Sequence, residues 1–486
     1  MRATAASAAP SARAMVLPLA LAQFIASYAA TNMNVAVTAI ANDLGTNVIG
    51  VQTAITLFTL TMAALMIPGS KLTDIWGRRR CFTLGLIVYG VGGLLAALAP
   101  GLGVLIVGYS LLEGVGSALM IPPIYILITV ATTDMSVRAR AFGVISGAAG
   151  FGAAAGPLIG GLVTTSISWR ASFLLQVLVV ASIVLLTRRI VDPGVQGARP
   201  RFDVVGAILS AAGLFFVVLG ILQSGTYGWF RSREDFAIGG VVLIHKGGLS
   251  PVWIYVAIGA LILLWFFLHL RARERRGREP LLSTRLFRNR TSNLGLVTQN
   301  VQWLTMQGAF FVISVYLQTV HNLNAIETGL ALTPATIGIL LASALAGRMA
   351  SRRTQRTLIR GGFVVTTIGM ASLLALANVS SNVLVMAPGL FLMGIGVGVM
   401  LTASVNVVQS AFPERDQGEI SGLSRSVSNL GSSLGTAIVG SVLVAAEARG
   451  SGPFAASLLT VVLIGLIGLG AALLLPAQPA RSPSSS

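Results

Sequence analysis

The chain has 486 residues, a length that would suit two or three soluble domains. Only 10% of the residues are charged and 55% are hydrophobic, whereas roughly 25% of a typical soluble domain is charged. Such a chain could not cover a water-exposed surface with polar groups, so most of it is expected to lie in lipid. A net charge of +18 remains to be explained by nucleic-acid binding, an anionic substrate or membrane topology.

Apolar stretches long enough to cross the bilayer as a helix, which takes about 20 residues, recur along the whole chain. The first six lie near residues 15–40, 50–70, 82–99, 103–130, 141–165 and 171–188. Two more lie near 203–224 and 252–270, and the last six lie near 293–319, 329–350, 359–377, 382–411, 419–446 and 454–476. We therefore predict an all-α membrane protein with 14 transmembrane helices, arranged as two six-helix bundles and two linker helices.

The grouping also predicts the domain boundaries. These are a cytoplasmic tail (1–14), an N-terminal bundle (15–190), a linker with two extra transmembrane helices and an external loop (191–290), a C-terminal bundle (291–476) and a disordered cytoplasmic tail (477–486). In the external loop, the apolar segment from Phe236 to His245 is too short to span. It predicts either a small β-hairpin or a segment lying in the membrane interface.

Positive charge predicts the orientation, because cytoplasmic loops of membrane proteins are enriched in Lys and Arg. Arginine-rich loops alternate with nearly bare ones along the chain, and the rich set includes 71–80, 188–201, 271–290 and 352–360. These loops are expected in the cytoplasm, with both termini, while the loop 225–251 is external. The net positive charge is then explained by membrane topology, and no nucleic-acid partner is expected.

The two six-span blocks resemble each other. With a shift of 280 residues, Leu112–Gly116 aligns with Leu392–Gly396, and Met120 aligns with Met400. Parallel repeats of this kind are typical of transporters whose substrate site lies between the halves. Glu113 aligns with Met393, so the scaffold itself does not require a charge there.

A first motif follows the second span, and its residues are Gly69, Asp74, Gly77, Arg78 and Arg79. Taken alone, it is a turn glycine with cytoplasmic charge. A second motif, in the fifth span, comprises Gly152, Gly156, Pro157, Gly160 and Gly161. Glycines at every fourth position make a flat face for a neighbouring helix, and proline favours a bend.

At these positions the first motif resembles the signature loop of the major facilitator superfamily, and the second resembles the motif of its exporting, antiporter branch. Further stretches, such as Tyr227–Trp229 and Arg285–Arg288, resemble the fourteen-helix drug:proton antiporter family over residues 15–476. The resemblance implies a secondary exporter in the bacterial plasma membrane. It would be driven by the proton gradient without another cofactor, and would work as a monomer in contact with lipid and a hydrophobic or amphiphilic substrate.

Several positions depart from that family. The usual aspartate of the first span falls on Ala29, and the usual arginine of the fourth span falls on Ser110. The glutamine that follows it is Glu113, and the arginine of span thirteen falls on Ser428, with Arg425 nearby. The customary proton-coupling groups are therefore replaced.

Glu113 lies near the middle of its span, where a carboxylate is costly and usually functional. Our hypothesis is that Glu113 takes up the coupling proton and that Arg425 modulates it, as a direct partner in one state. A structural ion pair and a cation-binding role for substrate are the alternatives. A lone cysteine and three distant histidines offer no metal site.

The resemblance places the substrate cavity between spans one, four, nine and twelve. Its candidate residues are Gln23, Asn32, Asn34, Met120, Gln299, Asn300, Trp303, Gln307, Phe310, Met400, Asn406 and Gln409. Intramembrane Asn and Gln often only join neighbouring helices, so about half of this set is expected to face the cavity.

Three functions compete. The first is multidrug efflux by proton antiport, and the second is export of one endogenous lipid, envelope precursor or secondary metabolite. The third is a sensor or partner protein without transport, which the retained motifs argue against. No enzyme is expected, because no nucleophile–base set or phosphate-binding loop is visible.

Overall fold

The computed structural model describes residues 8–131, 135–187, 201–238, 241–376, 383–413, 416–447 and 452–476. Almost all of this part of the chain is helical. The tail predicted at 477–486, most of the basic stretch 188–201 and the first seven residues lie outside the described ranges.

The first half of the chain forms eight α-helices that pack on one another, here called the N-bundle. They are α1 (Ala8–Asn32), α2 (Val37–Asp43), α3 (Val48–Trp76), α4 (Arg78–Ala97), α5 (Leu102–Leu105), α6 (Gly114–Ala131), α7 (Met135–Ser166) and α8 (Trp169–Thr187). A 3-10 turn, Met33–Ala36, joins α1 to α2, and a π-helix, Ile106–Glu113, joins α5 to α6. Each of these pairs continues as one span.

The second half begins with a linker pair that packs on itself, α9 (Val204–Tyr227) and α10 (Val252–Arg275). The C-bundle follows: α11 (Arg290–Thr319), α12 (Ala325–Ala331), α13 (Thr333–Arg352), α14 (Gln355–Leu376), α15 (Ala387–Gln409), α16 (Gln417–Glu447) and α17 (Pro453–Leu473). Between α9 and α10, strands β1 (Phe236–Ile238) and β2 (Val241–Ile244) pair antiparallel. Of the two predicted alternatives for this segment, the structure has the hairpin.

Twelve of the described helices are long and apolar enough to cross a membrane, or 13 if the pair α12–α13, bent by 45°, is one span. A helix lies in each of the 14 predicted stretches, but the count of 14 spans is not confirmed. The predicted stretch that does not meet the criterion of length and apolarity is α11. It is long enough, yet it carries Gln299, Asn300, Gln302 and Gln307. Polar side chains within a membrane span are costly in free energy when they face lipid, so such a helix is expected to face protein.

The internal repeat is also a repeat of packing. Gly114 lies against Thr61 and Phe58 of α3, and its repeat mate Gly394 lies against Ala335 of α13. A methyl group at either position would clash with the facing helix. The two bundles are therefore built on the same close helix contacts, as the 280-residue shift predicts.

One short segment, Leu281–Leu286, is held between the linker pair and the C-bundle, and we call it the strap. Its leucines Leu281 and Leu282 are 1% exposed and pack in one apolar cluster with residues of α3, α10 and α16. Backbone N–H groups of the strap donate to three carboxylates on three helices or their ends. Leu281 donates to Asp203 at 3.2 Å, Ser283 to Glu419 at 3.0 Å and Thr284 to Glu274 at 2.7 Å.

Asp203 is the most enclosed of these carboxylates. It caps α9 by accepting from Gly206 N–H at 3.0 Å, and it also accepts from His269 Nε2 at 3.0 Å and lies 3.5 Å from Arg273 Nε. Burial alone would raise the pKa of Asp203, but the Gly206 hydrogen bond and the neighbouring His269 and Arg273 outweigh it and hold that pKa below its ordinary value. The cap, the linker pair and the strap therefore share one buried anion.

We expect Asp203→Ala to destabilise the protein by about 3 kcal/mol, because it leaves a half-buried arginine and several N–H groups without their acceptor. The thermal unfolding midpoint in detergent measures this, with Asp235→Ala as the control at an exposed aspartate. Since the pKa is lowered by folding, the contribution of Asp203 is present above its ordinary pKa and is lost as the pH falls through its folded pKa. An Asp203→Ala midpoint equal to that of the wild type would contradict the role of the strap.

Candidate functional site

The two bundles meet along three helix pairs. We call the two ends of the molecule the Asp43 end, which holds the loops 44–47, 98–101 and 167–168, and the Asp74 end, which holds the loops 77 and 276–289. Helices alternate between these ends, so every described span runs from one to the other.

The first pair, α3 and α16, is in contact over its full length. From the Asp74 end inward, Lys71 Nζ lies 3.9 Å from Glu419, and Ser426 Oγ donates to the carbonyl of Ala63 at 2.5 Å. Further on, Ser433 Oγ donates to the carbonyl of Thr56 at 3.0 Å. On α16 these residues recur every seven positions, which keeps them on one face of the helix.

The second pair is α7 with α12 and α13, and the contacts that the described residues make lie in the Asp43 half. Gly161 packs on the backbone of Ala325, and Thr336 Oγ1 donates to the carbonyl of Ala154 at 2.9 Å. Nearer the Asp74 end, a Cβ built on Gly147 or Gly150 would meet no heavy atom of the described chain within 4 Å. Among the described residues, the bundles are thus joined on this side at the Asp43 end.

The third pair is the first span, made of α1, the turn Met33–Ala36 and α2, with α11, and it includes a pair of repeat mates. Gln318 Oε1 accepts from Thr38, from its N–H at 3.1 Å and its hydroxyl at 2.9 Å, and these residues are 280 positions apart. Gln318 Nε2 also donates to the carbonyl of Asn34 at 3.0 Å, and Gln307 Nε2 donates to the carbonyl of Ala30 at 3.1 Å. Together with α7 and α12, these contacts close the interface at the Asp43 end.

A polar bridge crosses the interface nearer the Asp74 end. Tyr125 of α6 donates through its hydroxyl to Gln23 Oε1 of α1 at 3.4 Å. The guanidinium of Arg425 on α16 donates to the same hydroxyl and lies 5.1 Å from the centre of the tyrosine ring. Arg425 is therefore an interdomain group, linked to the N-bundle through Tyr125.

Glu113 is fully buried inside the N-bundle, at the end of the π-helix. Its carboxyl group packs over Gly93 of α4, with the hydroxyl of Tyr89 as its polar neighbour. Its repeat mate Met393 is equally buried in the C-bundle. A carboxyl group thus occupies a position that is an apolar core position in the other half.

The structure does not bring Glu113 and Arg425 together. The partner of Arg425 is Tyr125, which lies 12 residues after Glu113 on the same span, a separation of about 18 Å along a helix. The predicted direct pair is absent from this conformation, because Glu113 points into the N-bundle whereas Arg425 faces the interface.

The signature loop joins α3 to α4. Gly69 packs on the backbone of Ala118 in α6, and Gly77 has a φ of 95°, a conformation that favours glycine. Asp74 interacts electrostatically with Lys71 and Arg78. Arg79 is exposed at the Asp74 end.

The glycines of the second motif form two sets. Gly152, Gly156 and Gly160 pack on α1, against Phe24, Thr31 and Asn32. Gly161 packs on α12, and the carbonyl of Pro157 lies 2.5 Å from a Cβ built on Gly329. The motif therefore supports contacts within the N-bundle and the junction between bundles at the same time.

Other predicted cavity residues lie in different places. Met120 packs on Gly85 between α4 and α6, and Met400 packs on Gly362 between α14 and α15, so both lie inside a bundle rather than in a cavity. Gln299 and Asn300 join α11 to α16, since Gln299 is hydrogen-bonded to Ser424 and Ser428 and Asn300 donates to the carbonyl of Val427. Phe310 is enclosed in the core.

The remaining candidates differ in exposure and in contacts. Asn406 is exposed and Trp303 is half-buried, whereas Gln409 bonds Ser421 at 3.4 Å near the Asp74 end. Asn32 and Asn34 are buried at the break between α1 and α2.

Sequence reasoning missed Tyr125 and Gln318. Both had a usable signal, because the 280-residue shift aligns Tyr125 with Val405 and Gln318 with Thr38. The polar Tyr125 stands where the other half has Val405, and Gln318 is hydrogen-bonded to its own repeat mate Thr38. Among the described residues, no group of three or more His, Cys, Asp or Glu side chains could hold a metal ion.

Comparison with known proteins decides the family. The profile of the Major Facilitator Superfamily matches residues 19–236 and 204–436. The chain belongs to the Major Facilitator Superfamily. It is therefore a multi-pass membrane transporter and not an enzyme.

Similar curated proteins are resistance and export proteins of bacteria. The puromycin resistance protein of Streptomyces alboniger is 29% identical over 88% of this chain and 81% of its own length. The probable actinorhodin transporter of Streptomyces coelicolor is 27% identical over 85% of this chain and 69% of its own. The multidrug resistance protein Stp of Mycobacterium tuberculosis is 26% identical over 85% of this chain and 72% of its own.

Proposed function

We propose that the chain exports hydrophobic or amphiphilic drugs across the bacterial plasma membrane by proton antiport and alternating access. The names of the similar proteins, which concern puromycin and several drugs, support drugs as the substrate class. The arginine-rich loops lie at the Asp74 end, which supports a cytoplasmic location for that end and for both termini. With α11 as a span that faces protein, the number of transmembrane helices is 14.

The observation that carries proton coupling is the buried carboxyl group of Glu113. It is fully enclosed, and its repeat mate is a core methionine, so packing alone gives no reason for an acid. A carboxyl group buried within a membrane span is normally functional. Glu113 binds the coupling proton, and Arg425, through Tyr125, links the interface to the same span.

Alternating access follows from the three helix pairs. The interface is closed at the external, Asp43 end by Thr38, Gln318 and Gly161. At the cytoplasmic end the α7 side has no equivalent contact among the described residues. Substrate enters from the cytoplasmic side of this conformation, and release requires the Asp43 contacts to part.

A second candidate is the dedicated export of one secondary metabolite. The name of the probable actinorhodin transporter, which concerns a single compound, favours it. The loss of an aspartate at Ala29 and the external hairpin also distinguish this chain from a generalist antiporter.

One comparison tests the proposal. Puromycin and ethidium accumulation, and envelope-lipid composition, are measured in cells with and without the protein, before and after a protonophore. We expect lower accumulation of at least one drug in expressing cells and loss of that difference after the protonophore. Unchanged drug accumulation with altered envelope lipid would overturn drug export and leave the dedicated exporter.

A further inference from the structure

A set of polar side chains is buried inside the N-bundle, away from the interface between bundles. It comprises Tyr28 and Asn32 of α1, Tyr89 of α4, Glu113, and Ser172 and Gln176 of α8, and we call it the polar track. Each of these residues is at most 4% exposed. Four separate helical segments contribute to it, so it is not a feature of one helix face.

The members of the track follow one another. The Tyr28 hydroxyl lies beside the side chains of Asn32 and Ser172. Ser172 and Gln176 are four residues apart on α8 and so share one face. Gln176 Oε1 accepts from the Tyr89 hydroxyl at 2.5 Å, and Tyr89 is the polar neighbour of Glu113.

Several polar atoms of the track have no hydrogen-bond partner among the described residues. Within the described chain, no well-formed hydrogen bond reaches either carboxyl oxygen of Glu113, Gln176 Nε2, Ser172 Oγ, Tyr28 Oη or Asn32 Oδ1. Buried polar atoms are nearly always paired with protein or with ordered water, because an unpaired one is costly. Six such atoms on neighbouring side chains call for water molecules that bridge them.

The two ends of the track differ. One end is the Glu113 carboxyl. The other is Asn32, at the break of α1, two residues before Asn34, whose carbonyl Gln318 contacts. The titratable groups facing Glu113 are Tyr89 and Tyr109, and Tyr109 itself donates to the carbonyl of Ala29 at 3.1 Å. The nearest charged pair on α8 is Arg170 with Asp43, at the end of the helix.

We infer that the polar track binds a file of water molecules through which Glu113 exchanges its proton with the interface at Asn32. A proton enters at Asn32, passes from water to water, and converts the Glu113 carboxylate to the carboxylic acid, and the reverse transfer restores the carboxylate. The proton path is thereby separate from the substrate path between bundles. This inference rests on the proposed proton coupling at Glu113.

The first test uses Ser172→Ala with Gln176→Leu, which removes two water partners without touching Glu113. Ser182→Ala is the control, because Ser182 is an exposed hydroxyl on the same helix. In proteoliposomes with a proton gradient, we expect puromycin transport by the double variant to slow by about tenfold, the effect of removing buried hydrogen-bonding partners. Puromycin exchange without a gradient should stay at the wild-type rate.

The second measurement uses the unaltered protein, so it does not depend on the folding of a variant. X-ray radiolysis labels side chains that lie next to bound water, even when they are buried. We expect labelling of Tyr28 and Tyr89, and none of Phe363, which is also fully buried but lies among apolar residues.

The outcomes separate the two proposals. Unlabelled Tyr28 and Tyr89, or a double variant with undiminished gradient-driven transport while Glu113→Gln has lost it, would overturn the water file alone. Full proton coupling in Glu113→Gln would overturn the proposed function of Glu113, and with it the purpose of the track.

Discussion

Glu113→Gln is expected to abolish uphill, gradient-driven transport while leaving the protein folded. Glutamine has nearly the same shape as glutamic acid and fits the same site over Gly93, but it cannot bind and release a proton. Among the described residues, the polar neighbour of Glu113 is the neutral Tyr89 hydroxyl, so the amide removes no ion pair there. Folding should therefore be retained, and only the dependence of transport on the gradient should change.

The measurement is ethidium uptake into inside-out membrane vesicles energised by a proton gradient. Glu234→Gln is the matched control, because Glu234 is exposed in the external loop. Wild type and Glu234→Gln should accumulate ethidium against its gradient, and Glu113→Gln should only equilibrate it. Accumulation by Glu113→Gln at the wild-type rate would remove the coupling role and leave a structural role for the carboxyl group.

Gly161→Ala is expected to open the contact between bundles at the Asp43 end. A Cβ at Gly161 would clash with the backbone of Ala325, which is part of the other bundle and cannot rotate away as a side chain could. The helices must move apart, and the nearby hydrogen bonds between Thr38 and Gln318 weaken with them. A transporter that cannot close this end loses alternating access.

Gly150→Ala is a matched control on the same helix, since no atom of the described chain lies near its Cβ position. Alanine there should stabilise α7 by about 1 kcal/mol through its helix propensity. A Thr38→Cys and Gln318→Cys pair, in a Cys81→Ser background, reports closure as disulfide yield. We expect the yield and puromycin transport to fall in Gly161→Ala and to persist in Gly150→Ala, and equal yields in the two variants would contradict the proposed closure.

The sequence predicts the helices of this protein well, because span length is set by bilayer thickness and apolar stretches are long. It also predicts the repeat of the two bundles. Glycines such as Gly114 and Gly394 recur because two helices approach closely at each of them. It does not predict which face of an apolar helix meets another helix. Met120 and Met400, placed in the cavity by analogy, lie inside the bundles because their spans are apolar all round.

Departures from internal symmetry carry more information about the site than polarity does. Asn300 and Gln299 are polar and lie in the expected span, yet they only join α11 to α16. Glu113, by contrast, is where the halves differ, and the structure buries it. The strap could not be foreseen, because its carboxylates come from helices far apart in sequence and only folding brings them to adjacent N–H groups.

Proton coupling at Glu113 is tested most directly by substrate-driven proton movement in proteoliposomes containing a pH-sensitive dye. A puromycin gradient is imposed without a proton gradient, for wild type and for Glu113→Gln. If Glu113 carries the coupling proton, wild type moves protons opposite to puromycin and Glu113→Gln moves puromycin without protons. Proton movement of equal size in both proteins, or puromycin transport by wild type with no proton movement, would contradict it.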